Sequence, residues 1–424
     1  MTGRGEGLHL AHHIRRFAWN RSGRNPRLQG AQVRQTVLCM GEAMISCSGS
    51  RFSYRDALRW RDWGIDKVPT FFLAGFYCLW LGGNYSSAVF VDFGLCISLL
   101  ISASIFGYTL NDLADQDLDL AQGKPNYCRG ITLPERILLI GVPAIAVFTI
   151  TYLLRDRFMM VPLAGAWFFM AAFYSLEPLR FKERGRIGLV VSILCQFPLP
   201  LLMLFAVFGH SNALDVSVFA LYGAAKGAAL DIGHQRHDYY RDLSTNTRTY
   251  AVRAGFQRAS LAYRRALALE RTMLGILIAL MCIRFWSAPG EHPPFAALCF
   301  GVVALVYAGL LFANHGLVSP HDDVDEASDP YYGDTHSSLK VLHVVVPANL
   351  MPAMLLVMMS IDSHWNLILL GLFLLWVRPT LDKMTWVAES ILKRPFLAKK
   401  ELDHPVQGYV SDRPAGETRL RVNR

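Results

Sequence analysis

The sequence predicts an all-α integral membrane protein, built as a bundle of about nine transmembrane helices. Of its 424 residues 53% are hydrophobic and only 18% are charged, and the mean hydropathy is +0.28. Soluble domains of this size carry more charge. The apolar residues are also gathered into long runs, and a helix of roughly 20 apolar residues crosses a bilayer. These runs end at Pro, Gly or charged residues, which are typical helix boundaries.

Nine apolar runs provide the predicted transmembrane helices. They cover residues 67–83, 86–110, 134–154, 158–175, 187–209, 214–230, 268–287, 294–313 and 339–361. A tenth run, 364–378, is short for a crossing, so a re-entrant or interfacial helix is an equal expectation. The chain therefore divides into a basic N-terminal arm with an interfacial helix (1–66), a transmembrane domain (67–380) and a basic polar tail (381–424).

The net charge of +9 points to a lipid surface as the partner of the basic segments. Basic residues are concentrated in the N-terminal arm, in alternate loops and in the tail, which suits anionic lipids and not a nucleic acid. The positive-inside rule places the arm and the long basic loops in the cytoplasm, although Arg155 and Arg157 fall on the other side. We expect a multi-pass protein of the cell inner membrane, with an organelle membrane as the alternative.

The first chemical motif is the stretch Asn-Asp-Leu-Ala-Asp-Gln-Asp-Leu-Asp at 111–119, directly after the second apolar run. On one continuous helix Asp112, Asp115 and Asp119 share a face about 60° wide, and Asp117 points elsewhere. Three carboxylates at the end of a membrane helix repel one another, so a positive partner is required. Mg²⁺ is the natural candidate, and it commonly shares a phosphate-bearing substrate.

A second acidic motif follows the sixth apolar run. Asp231, His234, Asp238 and Asp242 are separated by three, four and four residues, which places all four on one face of a helix. A single motif of this kind is often only a solvated acidic helix end. Two such motifs, each ending a run of spanning length, favour a shared metal site.

Basic residues lie between the two motifs. Arg180 and Lys182, and Lys124 and Arg129 in the first acidic loop, have the charge to hold a diphosphate, although anchoring at the membrane surface is the commoner role of such residues. Lys226 lies inside an apolar run shortly before Asp231. A lysine in that position either reaches the interface or pairs with a carboxylate.

These motifs resemble a known family. Asn-Asp-x-x-Asp-x-x-x-Asp at 111–119 and Asp-x6-Asp-x3-Asp at 231–242 are similar to the two aspartate motifs of the UbiA superfamily of intramembrane prenyltransferases. The segment Tyr-x-x-x-Pro-x-Arg-x-Lys at 174–182 resembles its loop signature, and residues 249–255 resemble the stretch after its second motif. The resemblance runs from about residue 60 to 380.

The resemblance implies a helical bundle around a central cavity, capped by the motif loops on the cytoplasmic side. It implies that Mg²⁺ binds an isoprenyl diphosphate, and that a small-molecule acceptor, usually an electron-rich aromatic ring, takes the isoprenyl group. The implied metal ligands are Asp112, Asp115, Asp119, Asp231, Asp238 and Asp242. Asn111 would orient a ligand or touch the diphosphate. The other implied diphosphate contacts are Lys124, Arg129, Tyr174, Arg180 and Lys182.

Three features depart from the family pattern. Lys124-Pro125 and Arg129-Gly130 stand where members acting on aromatic acceptors often carry Arg-Pro, and His234 occupies the interior of the second motif. Asn246 stands where many members have glycine. The acidic loop at 321–326, with Asp329, lacks the pattern of a calcium loop, so we predict a solvated loop that also has the position of a lid.

Two other functions remain open from the sequence. A membrane terpene cyclase would use the same diphosphate chemistry but let the carbocation close on itself. A cation or lipid transporter would instead place its carboxylates near the middle of the spans, whereas those of the two motifs lie at span ends.

Overall fold

The structure is a computed structural model that describes residues 58–122, 126, 128, 130–157, 159–287, 293–314, 329–332 and 338–378. Within these ranges all regular secondary structure is helical. The interfacial helix is predicted from residues 51–55 and 58–61, of which 51–55 lie outside the described residues, as do Lys124, Arg129 and all residues from 379 onward, including the predicted tail (381–424). The domain boundaries stay a prediction, although residues 58–66 pack directly onto the bundle.

The helices follow the predicted runs closely. In chain order they are α1 Trp60–Trp63, α2 Lys67–Gly82, α3 Ser87–Ala114, α4 Gln116–Gln122, α5 Leu133–Leu153, α6 Met160–Ser175, α7 Arg186–Gln196, α8 Pro198–Phe208, α9 Ala213–His237, α10 Tyr239–Ser244, α11 Tyr250–Ala254, α12 Phe256–Trp286, α13 Pro293–Ala313, α14 Ser338–Asp362 and α15 Asn366–Arg378.

Seven helical spans in the described ranges are long and apolar enough to cross a membrane, α7 and α8 counting as one. The all-helical integral membrane fold is therefore confirmed. Large apolar side chains face outward along these spans, as a bilayer requires. On α5 and α13 the exposed apolar residues include Ile137, Ile145, Phe148, Leu298, Leu305 and Phe312.

Helix α2 occupies the centre of the bundle. All of its residues from Lys67 to Leu79 are buried, and it contacts α3, α8 and α14. A helix enclosed on every side has no polar face, which explains why this run is apolar in all directions. Helix α15 runs back beside it: Trp376 Nε1 donates to the carbonyl of Gly64, 2.9 Å away, just before α2 begins.

Helix α14 is not uniform. Its section Val341–Leu350 is a π-helix, and Met351–Asp362 continues as an α-helix. Pro347 lies inside the π section, where it cannot donate a backbone hydrogen bond. π-helical turns are uncommon and occur frequently at functional sites.

Two glycines of α9 allow it to pack closely against the α7–α8 span. A Cβ atom at Gly223 would lie 2.6 Å from Leu201 Cδ1 and 3.1 Å from Phe197 Cβ, and one at Gly227 would lie 3.3 Å from the carbonyl oxygen of Ile193. Small residues four apart are a common means of close helix packing in membranes. This contact fixes the position of α9, which carries the second acidic motif.

We expect Gly223→Val to lower the thermal unfolding midpoint in detergent, because overpacking of a tight contact costs about 1–3 kcal/mol. Gly301→Val is the matched control, since a Cβ atom at Gly301 meets open space. Equal midpoints for the two variants would contradict this packing.

Candidate functional site

The two acidic motifs meet at one end of the bundle, because the short helices α4 and α10 contact each other there. The prediction of one continuous helix through each motif is wrong. Helix α3 ends at Ala114 and α9 at His237, and the chain turns at Asp115 (φ −107°, ψ 8°) and Asp238 (φ −85°, ψ 0°). Aspartate competes with the helix backbone for hydrogen bonds, which favours such breaks. The turns direct α4 and α10 across the end of the bundle.

Asp112 is the most enclosed carboxylate of the first motif, with 3% of its surface exposed. Its Oδ1 accepts a hydrogen bond from Arg59 Nη1 at 2.7 Å. Its Oδ2 is buried and has no hydrogen-bond partner within the described part of the chain. Asp119 Oδ2 accepts from Asn126 Nδ2 at 2.7 Å, and the same amide reaches the backbone carbonyl of Asp112. Asn126 therefore fixes the turn between α3 and α4.

Asp115 lies against two cations of the loop between α6 and α7. Lys182 Nζ forms a close ion pair with it, and Arg180 Nη2 lies 3.2 Å from its Oδ1. Lys182 Nζ also lies 3.4 Å from Asn111 Oδ1, which accepts from Ser175 Oγ at 2.7 Å. The sequence-predicted residues Asn111, Asp115, Arg180 and Lys182 are thus brought into one group.

Asp231 of the second motif is held by neutral donors. Ser192 Oγ donates to its Oδ1 at 2.9 Å and Gln235 Nε2 to its Oδ2 at 3.0 Å. Gln196 Nε2 donates to Ser192 Oγ at 2.9 Å. Three side chains from α7 and α9 therefore fix the orientation of this carboxylate.

The other two carboxylates of the second motif lie beyond the helix break. Asp238 is buried, with Arg241 Nη1 3.4 Å from its Oδ1 and His234 Nε2 3.6 Å from its Oδ2. Asp242 Oδ2 accepts from Thr249 Oγ1 at 3.2 Å. The departure at Asn246 has a backbone explanation, because this residue has φ +58°, a conformation that glycine adopts without strain.

Aromatic and basic residues fill the space between the two motifs. Lys67 Nζ donates to the hydroxyl of Tyr108 at 2.7 Å, and the Arg59 guanidinium lies 5.1 Å from the same ring. Lys67 is close enough to act electrostatically on Asp231. Tyr174 is close enough to both Asp231 and Asp115 to interact with them electrostatically. The predicted residue Tyr174 therefore lies between the motifs.

The segment 329–332 packs over this end of the bundle. Asp329 is 2% exposed and accepts from Tyr263 at 2.7 Å and from Arg236 Nη2 at 3.2 Å. The prediction of a solvated loop is therefore wrong at Asp329; residues 321–326 lie outside the described ranges. Tyr332 donates to the carbonyl of Leu230 at 3.1 Å. Burial, together with the nearby Asp231 carboxylate, raises the pKa of Tyr332 well above its ordinary value, so this phenol stays a neutral donor.

Burial also acts on Lys182, which lies beside the first motif. It lowers the pKa of Lys182 below its ordinary value, and the Asp115 carboxylate opposes this effect by favouring the charged form. A lysine with a carboxylate partner at a partly apolar site is well placed to bind a second anion.

Several residues of this site were missed from the sequence. Arg59 precedes the first apolar run and Lys67 is its first residue, a position where basic residues usually anchor a helix at the membrane surface. Ser192 and Gln196 are the only strongly polar side chains in the sequence of α7 after Arg186, which is the signal that was available for them. Gln235 lies four residues after Asp231, the spacing that brings side chains together on a helix.

The donors at this end suit a hard divalent cation. Carboxylate oxygens are the ligands that Mg²⁺ prefers, and Asp112 Oδ2 is buried without a hydrogen-bond donor in the described structure. In the described residues no three His, Cys, Asp or Glu side chains already converge on one point. The carboxylate oxygens instead form ion pairs and hydrogen bonds with cations and donors of the chain itself.

Comparison with known proteins gives one family. The family model described as the UbiA prenyltransferase family matches residues 68–324, more than half of the chain. No curated protein and no solved structure gives a significant match.

We expect Asp329→Ala to lower the thermal unfolding midpoint clearly. The change leaves Arg236 and the Tyr263 hydroxyl without this partner, and removal of one member of a buried ion pair costs about 3–5 kcal/mol. Asp156→Ala is the control, because the Asp156 side chain is 86% exposed and we expect little change. Similar midpoints for the two variants would show that Asp329 does not hold the segment in place.

Proposed function

Because this chain belongs to the UbiA prenyltransferase family, we propose that it transfers an isoprenyl group from an isoprenyl diphosphate to an acceptor inside the membrane, with Mg²⁺ as cofactor. The observation that supports this most is the arrangement at the motif end. Six aspartates from two motifs lie at one end of an apolar bundle, among four basic residues, Arg59, Lys67, Arg180 and Lys182.

A diphosphate is an anion that a cluster of carboxylates would repel. Bound Mg²⁺ neutralises charge on both the carboxylates and the diphosphate, and so makes the diphosphate a better leaving group. The residues that would hold it are Asp112, Asp115, Asp119, Asp231, Asp238 and Asp242. Asp112 has a buried oxygen available for this purpose.

The chain's own cations would bind the diphosphate oxygens. Lys182 and Arg180 face Asp115 from one side, and Arg59 and Lys67 approach Tyr108 from another. These residues stabilise the negative charge that grows on the leaving diphosphate. Asn111, held by Ser175, has its amide oxygen directed toward Lys182 and so keeps this lysine in position.

The reaction itself needs a dry site. The C1–O bond of the isoprenyl diphosphate breaks and its electron pair leaves with the diphosphate. The acceptor forms a bond to C1 and loses a proton. The cation formed at C1 must be protected from water, and the segment 329–332 with the Tyr332 ring covers this end of the bundle. Tyr108 and Tyr174 place aromatic faces near the same point.

We propose that the motif end faces the cytoplasm of a multi-pass inner-membrane or organelle-membrane protein. The positive-inside rule supports this orientation. Arg157, one of the two arginines that count against it, forms an ion pair with Asp92. Its charge is therefore balanced at the opposite end of the bundle.

We expect Asp112→Asn and Asp238→Asn each to reduce diphosphate release from geranylgeranyl diphosphate by about 100-fold or more, a barrier increase of about 2.7 kcal/mol. The assay uses the full chain in detergent, with and without Mg²⁺, against a panel of aromatic and polyol acceptors. Asp117→Asn is the matched control, an exposed aspartate of the same motif that we expect to keep its activity. Release that persists in both motif variants would refute the proposed site. A cyclic hydrocarbon formed without acceptor would instead identify a cyclase.

We expect Arg59→Gln and Lys67→Met each to raise the KM for the isoprenyl diphosphate about tenfold, because a hydrogen bond to a charged group contributes about 1.5–3 kcal/mol. Arg155→Gln, at the opposite end of the bundle, should leave this KM unchanged. If the Arg59 and Lys67 variants keep the wild-type KM, these cations do not contact the diphosphate.

A further inference from the structure

A groove lies on the outer surface of the bundle, between α3 and α5 at the motif end. Its volume is about 440 Å³. Helix α3 contributes Leu113, and α5 contributes residues at the spacings that share one helix face, namely Leu133, Arg136, Ile137, Ile140 and Gly141. The groove therefore runs about 12 Å along α5, from the first residue of that helix toward the middle of the span. We refer to it as the α3–α5 groove.

The α5 wall of this groove is apolar and faces away from the bundle. Leu133 is 70% exposed and Ile137 is 63% exposed, and exposed apolar side chains on a spanning helix contact the acyl chains of the bilayer. Gly141 adds depth, because a Cβ atom at this position would meet no other atom within 4 Å. The groove therefore has the shape and the polarity to hold a hydrocarbon chain.

Arg136 supplies the charge at the motif end of the groove. Its Nε donates to the backbone carbonyl of Ile131 at 3.3 Å, and in the described part of the chain its guanidinium has no carboxylate partner within 4 Å. The adjacent acid, Glu135, accepts instead from the backbone nitrogen and the hydroxyl of Thr132, at 2.7 and 2.9 Å. A guanidinium carries five N–H donors in a planar fork that matches a phosphate group. Arg136 therefore keeps donors for an anion from outside the chain.

Other cations of the spans have a partner within the chain. The sequence left open whether Lys226 reaches the interface or pairs with a carboxylate, and the structure shows the pairing: its Nζ lies 3.1 Å from Asp66 Oδ1. Arg284 Nη2 likewise lies 2.8 Å from Asp215 Oδ1. A cation beside an apolar surface needs a counter-charge, because charge is costly in the membrane. For Arg136 the surrounding lipid is the available source of that counter-charge.

The position of the groove indicates which anion is available to it. The groove lies at the motif end, which we propose faces the cytoplasm. The cytoplasmic leaflet carries the anionic lipids, and basic pockets between helices on that side bind their headgroups. A phospholipid combines a phosphate with long acyl chains, as this groove requires. An isoprenyl diphosphate carries more negative charge than one arginine neutralises, and the cations near the six aspartates suit it better.

We propose that the α3–α5 groove binds one anionic phospholipid of the cytoplasmic leaflet. The lipid phosphate accepts hydrogen bonds from Arg136, and one acyl chain lies along Ile137 toward Gly141. The lipid also contacts Leu113, the residue that follows Asp112, and therefore packs against the end of α3 that carries the first motif. This site is separate from the six aspartates and does not depend on the reaction that they support.

The test uses the full chain in detergent, titrated with either phosphatidylglycerol or phosphatidylcholine of identical acyl chains. Native mass spectrometry counts the bound lipids and gives the dissociation constant of the first one. We expect phosphatidylglycerol to bind about tenfold more tightly, because its net negative charge is not balanced by a cation in its own headgroup and hydrogen bonds to charged groups are strong. Equal affinities for the two lipids would overturn the proposal.

Arg136→Gln tests the headgroup contact, and we expect it to weaken phosphatidylglycerol binding about tenfold while phosphatidylcholine binding stays unchanged. Arg186→Gln is the matched control. Arg186 is an exposed arginine in the first turn of another span, α7, on the side of the bundle where the two acidic motifs meet, and the variant removes the same charge away from the groove. An equal loss of affinity in both variants would show a general surface-charge effect and no built site.

Gly141→Leu tests the acyl-chain contact. The new side chain fills the groove without meeting protein atoms, so we expect an unchanged unfolding midpoint in lipid-free detergent and loss of the tight phosphatidylglycerol site. Gly301→Leu, which also meets open space, should bind lipid as wild type does. Wild-type affinity in Gly141→Leu would overturn the proposal. So would displacement of phosphatidylglycerol by geranylgeranyl diphosphate, which would assign the groove to the isoprenyl substrate.

Discussion

The high cost of charge inside an apolar bundle governs how this protein is built. Each of the six aspartates proposed as metal ligands has a hydrogen-bond donor or a cation beside it, such as Arg59 at Asp112 or Lys182 at Asp115. Several of these partners come from segments far apart in sequence, as Arg59 and Lys182 do. Meeting this requirement brings the start of α2, the α6–α7 loop and the segment 329–332 to the same place. The charges therefore organise the tertiary structure as well as the proposed chemistry.

The apolar spans could be predicted from the sequence because bilayer thickness requires one long run for each crossing. The run at 364–378 also forms a helix, α15, and its Trp376 donates a hydrogen bond to the carbonyl of Gly64 near the motif end. The breaks at Asp115 and Asp238 could not be predicted, since residues spaced three and four apart fit a continuous helix equally well. The buried pair of Glu270 and His343, whose Oε2 and Nδ1 atoms lie 2.8 Å apart, could not be predicted either, because a single acid or histidine in an apolar segment carries no spacing that identifies its partner.

Arg59 illustrates how position in the sequence misleads. A basic residue just before an apolar run is typical of a membrane-surface anchor, and the sequence therefore assigned it to the N-terminal arm. In the structure its guanidinium lies over the Tyr108 ring and reaches Asp112. Because Trp60 and Trp63 pack in the aromatic group that also includes Trp376, helix α1 is fixed to the bundle and holds Arg59 at the site.

The two motifs are alike in backbone but different in electrostatics. Both follow a long helix, turn at an aspartate near φ −100° and continue into a short helix. The first motif is in direct contact with Arg59, Arg180 and Lys182, whereas Asp231 of the second is held by neutral Ser192 and Gln235. We infer that the cations beside the first motif attract the diphosphate of the proposed substrate, whereas Asp231, whose direct partners are neutral, would receive its positive charge from a bound metal ion. In the proposed reaction this difference would orient the substrate, with its charged end toward the first motif and its reacting carbon toward α9.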